Sequence, residues 1–298
     1  MSSCPLCNSQ NNSHYLNLKD FFLSQEEFEI VRCRDCGLLY TNPRPDTSKM
    51  QAYYDSKQYF SHQENSTGLI PRIYEFVKSF NLKQKFKLAT SGKTIGKILD
   101  IGCGTGDFLL KAKQNNWEVS ALEPNEHARE IASKRLNVSI IRPEDISGIP
   151  DSFFDVITMW HVLEHIENLQ EEALHLHRML KPGGRLVVAV PNYQSYDAKF
   201  YKDKWAAWDV PRHLSHFDRS SITKVFSPYN DIRLCDVFFL RWDAYYISYL
   251  SEKYLGHKLP LLRGCFHGLV SNLKASKSKN YSSLVYIFEK STLKSENP

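Results

Sequence analysis

The stretch that decides the fold is Ile98-Leu99-Asp100-Ile101-Gly102-Cys103-Gly104-Thr105-Gly106-Asp107. An apolar run of strand type ends in three glycines at alternate positions, and a helical pattern begins at Phe108. Glycine lets the chain turn sharply here and removes the Cβ that would keep a ligand away from the backbone. The stretch therefore predicts a ligand-binding loop between a strand and a helix.

Two carboxylates near this loop restrict the chemical class of ligand that it can bind. Asp100 stands two residues before Gly102, where it would repel a pyrophosphate but could hold a cationic amino group. Glu123, at the end of the next apolar run, is placed to accept hydrogen bonds from ribose hydroxyls. The sixth position counted from Gly102 is Asp107 and not glycine, which disfavours a dinucleotide. The chemistry fits a nucleoside that carries an amino acid.

These residues resemble the first motif of class I S-adenosylmethionine-dependent methyltransferases. Residues 154–157 with 160–166 are similar to that family's fourth motif, and residues 180–186 to the turn before its fifth strand. The resemblance implies S-adenosylmethionine as cofactor, with Asp100 and Gly102 at its methionine end and Glu123 at its ribose. The cofactor-binding residues that it implies are Asp100, Gly102, Gly104, Gly106, Glu123, Pro124 against the adenine face, and Asp145 at the adenine edge, with Glu144 as the alternative to Asp145.

Alternating strand and helix patterns predict an α/β, Rossmann-like fold. We expect a seven-stranded, mostly parallel sheet with an antiparallel late strand. Its predicted strands are residues 97–101, 118–122, 138–141, 155–160, 185–190, 232–238 and 283–289. Two segments depart from the alternation, 191–219 and 240–279, and insertions at the carboxyl ends of such strands are expected to contact substrate.

Four cysteines near the N-terminus form two C-x2-C pairs, Cys4 with Cys7 and Cys33 with Cys36. This spacing is typical of a zinc ribbon, and four thiolates leave no open position on the ion for chemistry. We therefore predict a structural zinc site; unrelated free thiols or a redox pair are the alternatives. The predicted organisation is a ribbon at 1–45, a helical and aromatic linker at 46–92, and a methyltransferase domain at 93–298.

A late segment, residues 205–217, gathers groups suited to proton transfer. His213 is the leading candidate for a general base, and Asp209, Arg212 and His216 are candidates to orient it or to bind substrate. Surface histidines without a catalytic role are the alternative. His161 and His165 lie four apart and could share a helical face, but H-E-x-x-H is not present, so a metalloprotease site is not supported.

The order of ribbon, Tyr59-Phe60-Ser61-His62, core and late histidine resembles nucleotide-sugar C-methyltransferases. That resemblance implies a histidine base and adds Tyr59 to the catalytic candidates His213 and His216. Arg212 stands where that family has a glutamate, and we expect no counterpart of the family's additional C-terminal domain.

The charge and hydrophobicity of the chain restrict which kinds of partner are expected. Thirty-eight basic residues are scattered among 33 acidic ones, for a net charge of +5, so nucleic-acid binding is not indicated. The sequence contains no uninterrupted run of 18 apolar residues, so a membrane-spanning helix is not expected. Peripheral contact with a membrane is still compatible with the sequence. The N-terminal residues lack a secretory signal pattern, so a cytosolic location is expected. The sequence does not indicate an oligomeric state.

We therefore expect a methyltransferase that acts on a small molecule, with a saccharide or nucleotide-linked sugar as first candidate and O-methylation favoured over C-methylation. An RNA or protein methyltransferase is one alternative. A binding module that keeps the cofactor fold without catalysis is the other.

Overall fold

A computed structural model describes residues 3–54 and 69–292 of the chain. The strands in chain order are β1 (Asn12–Lys19), β2 (Glu27–Cys33), β3 (Leu39–Asn42), β4 (Lys97–Ile101), β5 (Glu118–Leu122), β6 (Phe154–Trp160), β7 (Leu180–Pro191), β8 (Ser215–His216), β9 (Ile232–Phe239) and β10 (Ser283–Lys290). The α-helices are α1 (Thr47–Met50), α2 (Leu69–Thr90), α3 (Asp107–Lys113), α4 (Glu126–Leu136), α5 (Leu169–Met179), α6 (Tyr196–Tyr201), α7 (Arg219–Val225), α8 (Asp243–Tyr254) and α9 (Pro260–Ser278).

The larger sheet has the strand order β5-β4-β6-β7-β10-β9. The pairs β5/β4, β4/β6 and β6/β7 are parallel, whereas β10 is antiparallel to both of its neighbours. A Rossmann-like, mostly parallel sheet with an antiparallel late strand is therefore confirmed. Parallel strands end at one edge, so the turns after β4, β5 and β6 lie together.

The predicted count of seven strands is not confirmed, because in the described part of the chain this sheet has six strands. Residues 138–141, expected as a strand, make one parallel bridge in which Ile141 pairs with Leu122. Asn137 before them has a positive φ of 50°, and Pro143 soon after starts a 3-10 turn. The segment therefore touches the edge of β5 without running along it.

Neighbouring residues of the central strands point to opposite faces of the sheet. Leu99 and Ile157 belong to one core cluster with α5 and α7, and Ile98 and Val156 belong to the other with α3 and α4. Both faces are covered by helices, which explains why these strands read as continuous apolar runs. The result is a three-layer α/β core.

Several helices that cover the sheet begin at capping side chains. Asn125 accepts a 2.9 Å hydrogen bond from Ala128 N at the start of α4, and Asp218 accepts a 2.8 Å bond from Ser221 N at the start of α7. Such caps satisfy backbone donors that the first helical turn leaves free. They fix where each helix leaves the loop at the sheet edge.

The smaller sheet is antiparallel and has the order β1-β2-β3-β8. Its fourth strand comes from the late segment, because Tyr40 pairs with Ser215 and Leu39 with His216. The Val31 side of this sheet packs on the main core, and the Ile30 side packs on a cluster that contains residues 205–208. Residues 191–219 are therefore held between the N-terminal sheet and the rest of the molecule. The domain boundaries at residues 45 and 92 remain predictions.

Residues 240–279 form the helix pair α8 and α9. Among the helices of the described ranges, none is both long and apolar enough to cross a membrane.

Candidate active site

The glycine loop after β4 has left-handed backbone at all three predicted positions, with φ of 68° at Gly102, 55° at Gly104 and 81° at Gly106. A Cβ on Gly102 would come within 2.5 Å of a methyl group of Val162, so close packing excludes a side chain there. A Cβ on Gly104 would meet no atom within 4 Å among the described residues. The loop therefore packs tightly against the turn after β6 but is open at Gly104, as a ligand cradle must be.

Asp100 is buried at the end of β4, where Thr158 Oγ1 donates a 2.6 Å hydrogen bond to it. Burial raises the pKa of Asp100 to about 7, while the hydrogen bond from Thr158 and the charge of Lys85 oppose the rise. A buried carboxyl with this pKa is stabilised as an anion when a cationic group binds beside it.

Glu123 is buried at the end of β5 and bonds directly to the glycine loop. Its Oε2 accepts a 2.8 Å bond from Gly104 N, and its Oε1 accepts a 2.9 Å bond from Asn125 N. Burial raises its pKa, and these two backbone donors act against that rise. The predicted ribose acceptor and the open part of the loop are thus one hydrogen-bonded unit.

The predicted adenine contacts are exposed and lie in the loops beside Glu123. Pro124 is its neighbour in the chain, and Glu123 N donates a 3.2 Å bond to the carbonyl of Ile141. The short turn Pro143–Gly148, which carries Glu144 and Asp145, follows directly. These residues therefore lie in neighbouring loops beside Glu123, and the structure does not distinguish Glu144 from Asp145 as the adenine contact.

His213 lies in the late segment with its ring oriented by the backbone. Its Nδ1 is 3.0 Å from the carbonyl oxygen of Ala207, so this nitrogen donates and Nε2 keeps its lone pair. Nε2 is 3.9 Å from a carboxylate oxygen of Glu164 and 3.9 Å from one of Asp209. A proton taken up at Nε2 would therefore be stabilised by two carboxylates.

Glu164, close to His213, is a buried carboxylate with few polar partners. Its side chain is 1% exposed, and neither carboxylate oxygen has a hydrogen-bond partner within the described part of the chain. Its Oε1 is 3.4 Å from His161 Nδ1, an ion-pair distance. Burial on its own would raise the pKa of Glu164, but His161 and His213 hold it below its usual range. A buried carboxylate whose nearest partners are two imidazoles at ion-pair distances has acceptor capacity left for a further donor.

His165 completes the cluster, since one ligand atom each of Glu164, His165 and His213 lie within 4.8 Å of one another. Its Nδ1 is 3.0 Å from the Arg212 carbonyl and 2.9 Å from the Tyr54 hydroxyl. Burial and the neighbouring His213 lower the pKa of His165 to about 4, so its ring is neutral at physiological pH.

His161 and His165 do not share a helical face. His161 has a φ of 61°, and the residues after it form the short 3-10 turn Leu163–His165. His161 Nε2 pairs with Asp243 at 3.0 Å. Burial opposes protonation of His161, but Asp243 and Glu164 outweigh it and raise its pKa to about 9. His161 therefore carries the positive charge that faces Glu164.

Arg212 and His216, two further candidates, hold the segment in place. The Arg212 guanidinium is buried between Asp20, at 2.9 Å, and Asp209, at 2.7 Å. The His216 ring packs on Trp208, and burial lowers its pKa well below the usual range. His216 Nε2 is 3.3 Å from Thr41 Oγ1 and not at the Glu164 cluster.

Tyr59, the remaining catalytic candidate, lies outside the described residues.

The four N-terminal cysteines come together in the structure. The Sγ atoms of Cys4 and Cys36 are 3.5 Å apart, as are those of Cys7 and Cys33. Sulfur atoms at about 2.3 Å from a tetrahedral zinc ion are about 3.8 Å apart, so the arrangement suits one ion.

Sequence reasoning missed the part that Glu164 and Asp243 play. Glu164 lies within residues 160–166, the stretch that resembles the family's fourth motif, and its signal is a carboxylate among the apolar residues Val162, Leu163 and Ile166. Asp243 carried no such signal, because its partner His161 is 82 residues away.

Comparison with known proteins identifies the fold family. Residues 73–230 match the family model Methyltransf_23, described as a methyltransferase domain. The chain belongs to this methyltransferase family. The matched range contains the glycine loop, Glu123, Glu164 and His213.

Among curated relatives, the mitochondrial ubiquinone biosynthesis O-methyltransferase of Schizosaccharomyces pombe is 36% identical over 107 residues, 33% of this chain and 38% of that protein. The ubiquinone/menaquinone biosynthesis C-methyltransferase of Psychromonas ingrahamii is 30% identical over 133 residues, 40% of this chain and 53% of the relative. The malonyl-[acyl-carrier protein] O-methyltransferase of Enterobacter lignolyticus is 27% identical over 127 residues, 42% of this chain and 50% of the relative. These matches span about half the length of the relatives or less.

Among solved structures, phosphoethanolamine N-methyltransferase 2 of Haemonchus contortus, in complex with S-adenosylmethionine, superposes with a TM-score of 0.52. The two chains are 17% identical, and the match covers 94% of this chain and 68% of the other. At this identity the likeness shows a shared fold.

Proposed function

We propose that the protein is an S-adenosylmethionine-dependent methyltransferase that methylates a hydroxyl group of a small molecule, with His213 as the general base. The observation that carries the proposal is the placement of the buried Glu164 and His213 cluster directly after β6. Val162, two residues before Glu164, packs against Gly102 of the glycine loop. The proton-accepting group and the cofactor cradle are therefore neighbours.

The cofactor, when bound, supplies an electrophilic methyl group on a sulfonium. Two features support the fit of this cofactor: the open cradle at Gly104, and two buried carboxylates whose spacing along the chain suits an amino group and a ribose. In this proposal Asp100 holds the amino group and Glu123 the ribose hydroxyls. Pro124 and Asp145, or Glu144 in its place, bound the adenine.

On the acceptor side, the hydroxyl donates its hydrogen bond to His213 Nε2 and loses its proton to that atom. Glu164 and Asp209 then stabilise the imidazolium, and the bond from His213 Nδ1 to Ala207 keeps the ring in orientation. A positioned base of this kind accounts for roughly 10²–10⁴-fold in rate.

The acceptor is proposed only by class. A sugar was the first expectation, but the relatives named above act in quinone biosynthesis or on an acyl-carrier protein, so nothing there favours sugars. O-methylation is preferred over C-methylation because a histidine Nε2 that lies 3.9 Å from each of two carboxylates suits uptake of a hydroxyl proton. The four-cysteine cluster is proposed as a structural zinc ribbon without a chemical role.

The test measures cofactor binding and demethylated-cofactor release with a panel of phenolic, quinol and sugar hydroxyl acceptors. His213→Ala should lower turnover by roughly 10²–10⁴-fold while cofactor affinity stays unchanged. His14→Ala, on the exposed strand β1, serves as the control and should leave both unaffected. Near-normal turnover in His213→Ala would remove the base role from this residue.

Other outcomes distinguish the alternatives. Tight RNA binding that falls steeply with salt would favour an RNA methyltransferase. Absence of cofactor binding in the folded protein would favour the non-catalytic module.

The composition of the same cluster supports an alternative role, which would replace the base role because His213 Nε2 would then bind the ion. One carboxylate and two imidazoles within 4.8 Å could share a divalent cation that binds the acceptor oxygen. Calorimetry with Mn²⁺, Mg²⁺ and Zn²⁺ tests this role, and Glu164→Gln should abolish binding. The same measurement on protein lacking ribbon zinc separates the two metal sites.

A further inference from the structure

The helix pair α8 and α9 is packed through small residues. A Cβ on Gly264 would lie 2.6 Å from the Tyr249 Cα, and one on Gly268 would lie 2.7 Å from the Tyr245 Cα. Side chains larger than hydrogen are excluded at both positions, so the helices approach closely. Gly264, Gly268, Ser271 and Ala275 are buried at helical spacing and form the inner face of α9.

The opposite face of α9 is apolar and exposed. Leu262, Phe266, Leu269 and Leu273 repeat the spacing of the inner face but are displaced by two positions, about 200° around a helix. Leu262 is 66% exposed, Phe266 62% and Leu273 62%. We call these four residues the apolar stripe. A contiguous exposed apolar surface of this kind marks an interaction site.

The charged side chains in the stretch of chain that contains the stripe are all basic, although Arg263 is paired with the buried Glu252, Nε to Oε2 at 2.6 Å. From residue 253 to residue 288 the sequence contains no aspartate or glutamate. It contains six basic residues, and all of them are exposed: Lys253, Lys258, Arg263, Lys274, Lys277 and Lys279. An exposed apolar face with a basic surround is complementary to an anionic lipid surface, where acyl chains and phosphates lie side by side.

The hairpin also starts at the candidate active site. Asp243, the first residue of α8, pairs with His161, which faces Glu164. The hairpin is thus joined to the acceptor cluster by this ion pair.

We propose that the α8–α9 hairpin docks the protein on an anionic membrane surface, with the apolar stripe among the acyl chains and the basic residues on the phosphate groups. The hairpin is held as one unit by its glycine packing, so docking needs no refolding. This inference concerns binding alone and does not rest on the proposed reaction.

The experiment is co-sedimentation of the full chain with two kinds of vesicle, phosphatidylcholine alone and an equal mixture of phosphatidylcholine and phosphatidylglycerol. Wild-type protein should bind the mixed vesicles and be released by high salt. Lys258→Glu with Lys277→Glu should weaken binding at least about tenfold, since each basic residue near an anionic surface contributes about fivefold. Leu262→Ser with Phe266→Ser should weaken it by at least about tenfold as well.

Controls keep the inference open to refutation. Leu174→Ser on α5, where the leucine is 51% exposed, removes an exposed apolar side chain elsewhere and should not change vesicle binding. Circular dichroism checks that every variant is folded. Equal binding to both vesicle types, or no binding at all, would overturn the proposal. A dimer that dissociates in Leu262→Ser with Phe266→Ser, without vesicle binding, would instead assign the stripe to a second copy of the chain.

Discussion

Substitution of Glu123 by glutamine tests the cofactor site most directly. In the structure both carboxylate oxygens already accept backbone hydrogen bonds, from Gly104 N and Asn125 N. Each oxygen has a second lone pair, which leaves two acceptors for ribose hydroxyls. The carboxylate therefore shapes the glycine loop and is proposed to bind the cofactor with the same atoms.

Glutamine keeps the shape of Glu123 but not its chemistry. Its amide group can accept with one oxygen, while its NH₂ group would face a backbone N–H and repel it. A hydrogen bond to a charged group contributes about 1.5–3 kcal/mol, so loss of one such bond to ribose predicts about 10- to 150-fold weaker cofactor binding.

Isothermal titration calorimetry with S-adenosylmethionine and with its demethylated product measures the effect. Glu126→Gln is the matched control, because Glu126 is an exposed acid three residues further along and should bind the cofactor normally. Thermal unfolding separates a local loss from misfolding. Wild-type affinity in a folded Glu123→Gln variant would refute the reasoning.

Three further outcomes follow from the structure. If the anionic form of Asp100 holds the amino group as proposed, cofactor affinity should fall as the pH is lowered through its pKa of about 7, and Asp100→Asn should flatten the profile measured by calorimetry; an unchanged profile would contradict the role. Cys33→Ser should release zinc and increase hydrogen exchange in the N-terminal sheet while the six-stranded sheet stays protected, and metal-free wild-type protein with four titratable thiols would disprove the zinc site. Arg212→Met should destabilise the fold by about 3–5 kcal/mol in urea unfolding, because Asp20 would remain buried without its partner; unaltered stability would show that water or another cation compensates.

The sequence predicted the features that depend on local pattern. A strand that ends in glycines, with Asp100 before them and Glu123 after the next strand, specifies the cradle within about thirty residues of chain, the length of one βαβ unit. The strand at residues 138–141 failed for a physical reason. Its apolar residues are partly buried against the two core clusters, but Ile141 alone reaches the edge of β5. A pattern of apolar residues indicates that a segment is buried, but it does not indicate that its backbone is hydrogen-bonded to a neighbouring strand.

The contacts around the proposed acceptor site could not be predicted from the sequence, because they join residues that are far apart in the chain. Arg212 reaches Asp20 across 192 positions, and β8 is a strand of two residues with no periodicity to detect. The sequence names His213 as the first candidate and His216 as a second, but it gives a partner for neither of them. Only the fold separates them, by placing Glu164 beside His213 and Thr41 beside His216.

The position of β8 gives the N-terminal sheet a further consequence. Thr41, at the end of β3, donates from Oγ1 to the His213 carbonyl at 2.7 Å and from its backbone N to the Leu214 carbonyl at 3.0 Å. Leu214 N in turn donates to the Glu164 carbonyl at 2.7 Å. The backbone of His213, the proposed general base, is thus fixed on one side by a strand of the N-terminal sheet and on the other by the turn after β6. Since β3 is paired to β2, which ends at Cys33, an ion held by the cysteines would stabilise the geometry of His213 without contacting any reactant.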